Sequence, residues 1–406
     1  MKHGFLKKVL SVALAMLSLA LMLVPLLPSS SEAASSNPFE AAVAAIEAKK
    51  PKTCTQISHY DATFTNKQDG LCNVCSMVTV LNRRLAYDNR SGSFTATDVI
   101  SACGCTNIRS NKDGTRYSYN GGTGTWFQKT YTKGGVSYQA VKISVDTVKK
   151  CTAKAGFNHY IALLLHEHPE GIVIRSKTAN HVAVITSYSV ADNRVSLFVW
   201  DPVNNYKGAI EGSYIYKHSS GDLYSSLNYL VYLKGSKAIS PIRANVIGLS
   251  AGRTASVVPM IGNSFVTYSS SNNSVCTVNS NGVVTAKSAG ATTVTLKMHG
   301  RSYDVNVHVL PTTSITSAKA KLFGRMQLNW TRRTNISGYQ IQYSTSSTFS
   351  SGVKSVTLGS ASTTSTTIGS LSMFKTYYVR IRCYVKVGSF TFYSPWSGSA
   401  KVRTTL

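Results

Sequence analysis

Acidic residues are scarce in this chain of 406 residues, which contains 16 Asp and Glu against 43 Lys and Arg, for a formal net charge of +27. The shortage is greatest in residues 239–406, where Asp304 is the single acid beside 17 basic residues. A positive surface of this size attracts polyanions. A specific nucleic-acid partner is not expected, however, because the sequence contains no recognised nucleic-acid-binding motif.

Apolar runs of membrane-spanning length are absent beyond the N-terminal region. That region has a basic start with three lysines, a mostly apolar segment at 9–27 and a small-x-small cleavage site at 31–33. We therefore predict that residues 1–33 are a signal peptide. A membrane anchor is the alternative, because the apolar segment is nearly long enough to span a bilayer. No transmembrane segment is expected after signal removal.

A Leu-Pro-x-Thr-Gly sorting signal and a C-terminal apolar tail are also missing, so covalent anchoring to a cell wall is not expected. The predicted location is extracellular, at the cell surface without a covalent sorting signal. The polyanions available there are cell-wall polymers and anionic lipid headgroups. We expect anionic cell-wall polymers to be partners of the basic C-terminal part.

At roughly 150 residues per domain, the length predicts two or three domains. After a linker or short helix at 34–52, residues 53–237 show helical patterns first and strand patterns second, which is an α+β arrangement. His166 and His168, at the end of one helix, are predicted to be cap or surface histidines. The predicted helices are 72–85, 95–104, 138–154 and 158–167, and the predicted strands are 171–174, 181–186, 195–200, 213–217 and 228–233.

One cysteine stands where thiol catalysis needs it. Such catalysis requires a thiolate, an adjacent imidazole, a group that orients the imidazole, and oxyanion donors. Cys72 enters a buried helix directly, and a helix N-terminus lowers the pKa of a thiol. His181 opens one apolar strand and Asp201 ends the next, so an antiparallel hairpin can bring the two together at one end of a sheet. Gln68, just upstream of the cysteine, is the candidate oxyanion donor.

Three stretches, GLCNVCSMVTVLNRR, HPEGIVIRSKTANHVAVITSY and FVWDPVNN, together resemble the papain-like peptidases that cleave bacteriocin leader peptides, and their secreted relatives. The resemblance implies a papain-like cysteine peptidase domain at residues 53–237. It further implies that Cys72 is the nucleophile, His181 the base, Asp201 the orienting group and Gln68 the oxyanion donor. The residue after the nucleophile is usually Gly in that family and is Asn here. The resemblance implies no cofactor and no metal.

Other roles for the cysteines stay open. Cys75 is a rival nucleophile, because Gln-Asp-Gly-Leu-Cys-x-x-Cys-Ser is also similar to papain itself, where the second cysteine reacts. Cys72 and Cys75 are alternatively a disulfide, a redox dithiol or, with Cys103 and Cys105, a zinc site. The pairing of the eight cysteines is not deducible from the sequence, and export permits disulfides without requiring them.

Residues 238–310 and 311–406 have the short alternating strands of two β-modules. The first, with VTYSSSNNSVCTV and NSNGVVTAKSAGATTVTL, closely resembles the bacterial immunoglobulin-like group 2 module. The second resembles a fibronectin type III module through LNWTR, SGYQIQYST, TYYVRIRCYV and YSPWSGSAKVRT. Trp330 is predicted to be its core tryptophan, and Cys276 and Cys383 are predicted to be buried small hydrophobes.

These patterns predict a multidomain protein in which an α+β papain-like cysteine peptidase domain is followed by two all-β immunoglobulin-like sandwiches. The predicted function is a secreted bacterial cysteine hydrolase that cleaves a peptide or protein substrate through a Cys-His-Asp triad. The sandwiches would bind the cell wall or position the enzyme. A peptidoglycan cross-link or an isopeptide is the second choice of bond. The alternative function is a non-catalytic surface adhesin or wall-binding protein with an inactive peptidase-like domain.

Overall fold

The computed structural model describes residues 37–52, 71–103, 128–177, 181–202, 206–210 and 223–406. Residues Phe39–Leu406 form one compact unit. Within it, an α+β region (37–238) precedes two all-β parts, the first sandwich (239–310) and the second sandwich (311–406). Among the described helices, none is long and apolar enough to cross a membrane.

The helices of the α+β region form where sequence spacing and capping favour them. The described helices are α1 (Pro38–Ala48), α2 (Leu71–Tyr87), α3 (Ala96–Ala102), α4 (Val145–Cys151), α5 (Phe157–Glu167) and the short α6 (Leu223–Ser226). In α2, apolar residues at helical spacing, among them Val74, Met77 and Leu81, are buried. Thr95 caps α3 in a capping box with Asp98, as each side chain accepts a hydrogen bond from the other residue's backbone N–H.

A seven-stranded sheet forms the middle layer of the α+β region. Its strands are β1 (Thr130–Lys133), β2 (Val136–Ser144), β3 (Ile172–Ser176), β4 (His181–Ala191), β5 (Arg194–Asp201), β6 (Tyr206–Ile210) and β7 (Leu227–Leu233). Their order is β1-β2-β7-β3-β4-β5-β6, with antiparallel neighbours throughout. The predicted hairpin between β4 and β5 turns at Asp192 and Asn193, whose φ values of 49° and 60° suit a tight primed turn.

Both faces of this sheet are covered. Val182 and Val184 of β4 belong to the apolar core that contains the buried residues of α2. The alternate residues Ala183 and Ile185 belong to the core that contains α5. Because successive side chains of a strand point to opposite faces, β4 is buried on both sides and reads as an apolar run without polar alternation. The two helices therefore lie on opposite faces of one sheet.

The structure corrects the prediction of a helix at 138–154. Strand β2 occupies the first part of this stretch, up to Ser144, and α4 begins only after Ser144, whose side chain caps it by accepting from the Thr147 N–H. The reason is that Tyr138 and Ala140, two residues apart, are buried, and this is strand periodicity. The predicted strand 213–217 lies outside the described residues, whereas β6 had not been predicted.

His166 and His168 are buried, so the prediction of surface histidines is wrong, whereas His168 is the C-terminal cap residue of α5, as the cap alternative predicted. His166 Nε2 lies 2.6 Å from the Tyr188 hydroxyl, and its Nδ1 lies 3.2 Å from the Ile239 carbonyl oxygen. His168 stacks on the ring of Tyr232, with 4.2 Å between ring centroids. These partners come from distant elements of the fold. They supply hydrogen-bond partners for the His166 ring and cover the His168 ring, which the helix pattern alone does not predict.

The C-terminal part forms two sandwiches of short strands. The strands are β8 (Val246–Ser250), β9 (Thr254–Ser256), β10 (Thr267–Ser270), β11 (Cys276–Val278), β12 (Val283–Ala286), β13 (Gly290–Met298), β14 (Arg301–Leu310), β15 (Ile315–Lys321), β16 (Arg325–Trp330), β17 (Gly338–Ser344), β18 (Lys354–Leu358), β19 (Ser365–Ile368), β20 (Thr376–Val387), β21 (Phe390–Tyr393) and β22 (Ala400–Arg403). The first sandwich pairs the sheet β10-β13-β14-β8 with the sheet β11-β12-β9. The second pairs β15-β16-β19 with β18-β17-β20-β21, where β22 also pairs with β20. Trp330, Cys276 and Cys383 are buried, as predicted.

The first sandwich packs directly against α5. Ile261 and Met298 complete the apolar core on that face of the sheet. Arg301 forms a two-pronged ion pair with Glu167 at the end of α5. His159 Nδ1 lies 2.9 Å from His299 Nε2 across the same boundary. The α+β region and the first sandwich are thus joined by a mixed apolar and polar interface.

Candidate active site

The histidine and the aspartate meet where one strand begins and its neighbour ends. His181 is the first residue of β4 and Asp201 is the last residue of β5. The register, in which Val184 pairs with Trp200, puts both at the same end of the sheet. His181 Nε2 lies 3.0 Å from Asp201 Oδ1, and both side chains are largely buried. The carboxylate can therefore hold the orientation of the ring.

Cys72 approaches this pair from the neighbouring helix. It is the second residue of α2, which packs on the face of the sheet formed by Val182 and Val184. Cys72 lies close enough to His181 to raise the pKa of its ring. The residue is 5% exposed, so its thiol is nearly shielded from water.

Charge at the site favours a protonated imidazole. Burial lowers the pKa of His181, but the hydrogen bond with Asp201 and the interaction with Cys72 outweigh it and raise the pKa to about 9. The raised pKa favours the protonated ring near neutral pH. An imidazolium next to a cysteine favours the thiolate, which is the nucleophilic form.

Ser76, close to the cysteine on α2, holds the helix and the strand together. The Ser76 hydroxyl, one turn further along α2, donates a hydrogen bond of 3.3 Å to the Val182 carbonyl, next to His181. The Cys72 thiol also faces Asn73, with 3.9 Å between Sγ and Oδ1. Ser76 is fully buried. It therefore fixes the approach of the cysteine-bearing turn to the histidine-bearing strand.

Tyr229 of β7 is a site residue that sequence reasoning missed. It belongs to the same buried core as Cys72, and burial raises the pKa of its hydroxyl to about 12. Two cations lie over its ring: Lys142 Nζ is 4.6 Å and the Arg175 guanidinium carbon 5.9 Å from the centroid. No sequence motif marks it, because Tyr229 is distant from His181 in the chain and β7 reaches the site only by lying next to β3 in the sheet.

The remaining predicted site residues are Gln68 and the other cysteines. Gln68 and Cys105 lie outside the described residues. Cys75, on α2, is completely buried in the core. Cys72, Cys151, Cys276 and Cys383 are free thiols, and the described residues contain no group of three or more His, Cys, Asp or Glu arranged to hold a metal ion.

Comparison with known proteins bears on the C-terminal part. Residues 239–306 match the family model of the bacterial Ig-like domain (group 2). No curated protein matches the chain. Among solved structures, the fn3 domain of human collagen alpha-1(XX) chain is 17% identical, covers 24% of this chain and 86% of its own length, and has a TM-score of 0.20. An Fn3-like protein from Clostridium thermocellum is 13% identical, with 24% and 95% covered and a TM-score of 0.20.

The family match identifies the first sandwich as a bacterial Ig-like domain. The second sandwich has three strands facing a larger antiparallel sheet around a buried tryptophan, and is fibronectin-III-like. The chain therefore consists of an α+β region followed by a bacterial Ig-like module and a fibronectin-III-like module.

Proposed function

We propose that the α+β region is a secreted bacterial cysteine hydrolase of the papain-like peptidase class, which cleaves amide bonds with Cys72, His181 and Asp201. The observation that carries the proposal is the hydrogen bond of 3.0 Å between His181 and Asp201, with Cys72 packed against the same strand in the buried core that contains Val182 and Val184. A nucleophile at the start of a buried helix and a His/Asp pair on the following sheet are also the arrangement expected of the papain fold. The three parts come from distant stretches of the chain, so their meeting depends on the tertiary fold.

In the proposed reaction, the Cys72 thiolate attacks the carbonyl carbon of the scissile amide, and a C–S bond forms as the carbonyl oxygen becomes an oxyanion. Protonated His181 then donates its proton to the amide nitrogen, and the C–N bond breaks to release the amine. The acyl group remains as a thioester. His181 takes a proton from water, the resulting hydroxide equivalent attacks the thioester, and the acid product leaves Cys72 free.

The oxyanion needs hydrogen-bond donors. The first four N–H groups of a helix have no acceptor within the helix, so the backbone N–H of Cys72 in the first turn of α2 is one proposed donor. The amide of Gln68 is the second proposed donor, as the family resemblance implies. Asp201 does not transfer a proton in this scheme. Its role is to orient the ring and to stabilise its positive charge.

We propose a peptide or protein as the substrate, and anionic cell-wall polymers as the ligands of the basic sandwiches, which would hold the enzyme near its substrate. The charge balance of residues 239–406, with 17 basic residues and one acid, supports the second part. No cofactor enters the reaction as written.

The test compares two cysteines one turn apart on α2. Cys72→Ala should abolish hydrolysis of a random peptide library, and Cys75→Ala, the matched buried control, should retain it. In the wild-type chain, iodoacetamide should modify residue 72 at about pH 6, well below the ordinary thiol pKa of about 8.5. His181→Ala should return that residue to ordinary thiol behaviour. Retained turnover in Cys72→Ala would reject the assignment.

The same measurements separate the enzyme from the alternative, a wall-binding adhesin with an inactive peptidase-like domain. The observation that favours the alternative is the strongly basic C-terminal part. If the wild-type chain shows neither turnover nor low-pH labelling of Cys72, yet sediments with purified cell walls in a salt-sensitive manner, the adhesin is the correct function.

A further inference from the structure

Four large apolar side chains are exposed together at one end of the second sandwich. They lie on two loops, the turn at 322–324 and the loop at 369–375. Leu322 is 65% exposed, Phe323 73%, Met373 46% and Phe374 56%. Isolated exposed apolar residues need no explanation, but a contiguous group of this size marks an interaction site. We refer to these four residues as the apolar tip.

The two loops are adjacent in space. The Leu371 N–H donates a hydrogen bond of 3.0 Å to the Gly324 carbonyl, which joins the loops through their backbones. β15 enters the sandwich after the connection to the first sandwich and ends at Lys321, so the tip lies at the end remote from that connection. The tip is therefore free to meet another surface while the rest of the chain stays behind it.

The backbone holds the tip in a fixed shape. Phe323 and Phe374 have φ values of 61° and 56°, a left-handed conformation that is unusual for bulky residues. The Thr404 hydroxyl donates a hydrogen bond of 2.7 Å to the Ser372 carbonyl, and the Ser372 N–H donates one of 3.1 Å to the Tyr377 hydroxyl. The aromatic rings are thus presented outward by a braced loop, and they do not fold back onto the sandwich.

Cations surround the apolar tip. Exposed Lys321 and Arg325 flank the first loop, and exposed Lys375 and Arg403 flank the second. Residues 311–406 contain twelve Lys and Arg and no Asp or Glu. A ligand for this end of the molecule must therefore accept apolar side chains at its centre and offer negative charge around them.

We propose that the apolar tip inserts into the surface of a lipid bilayer that carries anionic headgroups. Such a bilayer provides acyl chains for Leu322, Phe323, Met373 and Phe374, and phosphates for the flanking lysines and arginines. An anionic polymer matches the cations but offers nothing to the four apolar side chains. A second copy of this chain would bring equal positive charge to the contact. This inference does not depend on the proposed peptidase activity.

The test uses a local readout in the full chain, because the apolar segment 9–27 can attach the chain to vesicles by itself. Phe323→Trp adds a tryptophan at the tip to the four native ones. Phe390→Trp is the matched control, since Phe390 is 53% exposed and follows the opposite end of β20. Vesicles of equal parts phosphatidylcholine and phosphatidylglycerol, brominated near the headgroup end of their acyl chains, should quench the added emission at 323 and leave that at 390 unchanged. Phosphatidylcholine alone should quench the emission at 323 less.

A second variant gives the size of the effect. Replacement of Leu322, Met373 and Phe374 by Ser in the Phe323→Trp chain changes only exposed side chains, and it should lower the quenching of the added emission by the anionic vesicles by about threefold or more. Equal quenching at 323 and 390, or unchanged quenching in this variant, overturns the proposal. If residue 323 is shielded in the absence of lipid and the sedimenting mass doubles, a second copy covers the tip, and this also overturns the proposal. Shielding of residue 323 by a soluble polyanion equal to that by vesicles also overturns it.

Discussion

The α+β region and the second sandwich use their charges in opposite ways. In the α+β region, two buried carboxylates hold positions: Asp201 contacts His181, and Glu170 lies among Arg84, Ser236 and His168. The second sandwich has no carboxylate side chain, and two of its cations, Arg380 and Arg382, lie over aromatic rings. Buried carboxylates fix a site, whereas unpaired cations leave a surface open to an anionic ligand.

Arg380 and Arg382, both on β20, form a short arginine ladder on one sheet of the second sandwich. The Arg380 guanidinium lies 4.1 Å from the Phe349 centroid and 4.6 Å from that of Trp396, and Arg382 lies 3.8 Å from Tyr393 and 4.2 Å from Trp396. Each guanidinium also donates to a glutamine carbonyl across the strand pair. Aromatic faces and amides thus stabilise these charges without neutralising them.

The largest expected effect concerns the carboxylate of the candidate site. Asp201→Asn removes the charge that orients and stabilises the His181 ring, and it should lower the rate of peptide hydrolysis by about 10³- to 10⁴-fold. The matched control is Asp304→Asn, which changes the single acid of residues 239–406, an exposed carboxylate that accepts from Thr295 at 2.7 Å. That variant should keep the wild-type rate. Equal losses in the two variants would show that Asp201 has no specific role in hydrolysis.

The next effect is on stability. Glu170 is fully buried and accepts hydrogen bonds from Arg84 at 3.3 Å and from Ser236 at 2.6 Å. Glu170→Ala removes the fully buried partner of Arg84, which keeps only its ion pair with Asp88, and it should lower the free energy of unfolding by about 1–3 kcal/mol, measured by urea denaturation. Lys354→Ala in the second sandwich, where the side chain is exposed, should change it by less than about 0.5 kcal/mol. A small effect at Glu170 would mean that its network does not hold the region together.

A third effect is on the pH dependence of stability, and two kinds of buried group act in opposite directions. Burial lowers the pKa of His159, His166 and His168 to about 4 each. The unfolded chain binds protons at these rings below an ordinary pKa of about 6.5, so their contribution is lost as the pH falls from there toward 4. Burial raises the pKa of Glu170 to about 7, and its contribution is lost as the pH rises from its ordinary value, about 4.3, toward 7.

Because three histidines oppose one glutamate, the free energy of unfolding of the α+β region should fall between about pH 6.5 and 4. Regional hydrogen exchange measured across that range should show α5 losing protection before the strands of the second sandwich. Glu170→Gln should steepen the acid loss, because it removes the contribution that acid restores. Equal loss of protection in both regions would refute this ordering.

Predictions from the sequence are correct where local patterns of residues determine the structure. The helix at Cys72 follows from apolar spacing, and the meeting of His181 with Asp201 follows from a hairpin whose turn is marked by Asp192-Asn193. The two sandwiches follow from alternating strands and turn residues. In each case the deciding contacts lie within one element or between sequence neighbours.

The features that were mispredicted or missed depend on packing between residues that are distant in the sequence. Strand β2 was mistaken for a helix because its identity depends on pairing with β7, some ninety residues later. His166 is buried because Tyr188 and Ile239 supply its partners. Tyr229 reaches the candidate site only through the strand order β2-β7-β3. None of these partners is visible in a window of the sequence, since only the assembled sheet brings them together.

The smallest expected effect tests whether the arginine ladder of the second sandwich contributes to stability as the buried charges of the α+β region do. Arg382→Ala removes contacts to two aromatic rings and a hydrogen bond of 2.8 Å to Gln340. At a partly exposed site these contacts should amount to about 1 kcal/mol, so the unfolding temperature of the second sandwich should fall by a few degrees. Arg403→Ala, an exposed control on β22, should leave it unchanged. If Arg382→Ala lowers the free energy of unfolding as much as Glu170→Ala does, the second sandwich also depends on its charges for stability. The two regions would then differ only in how open their charges are to a ligand.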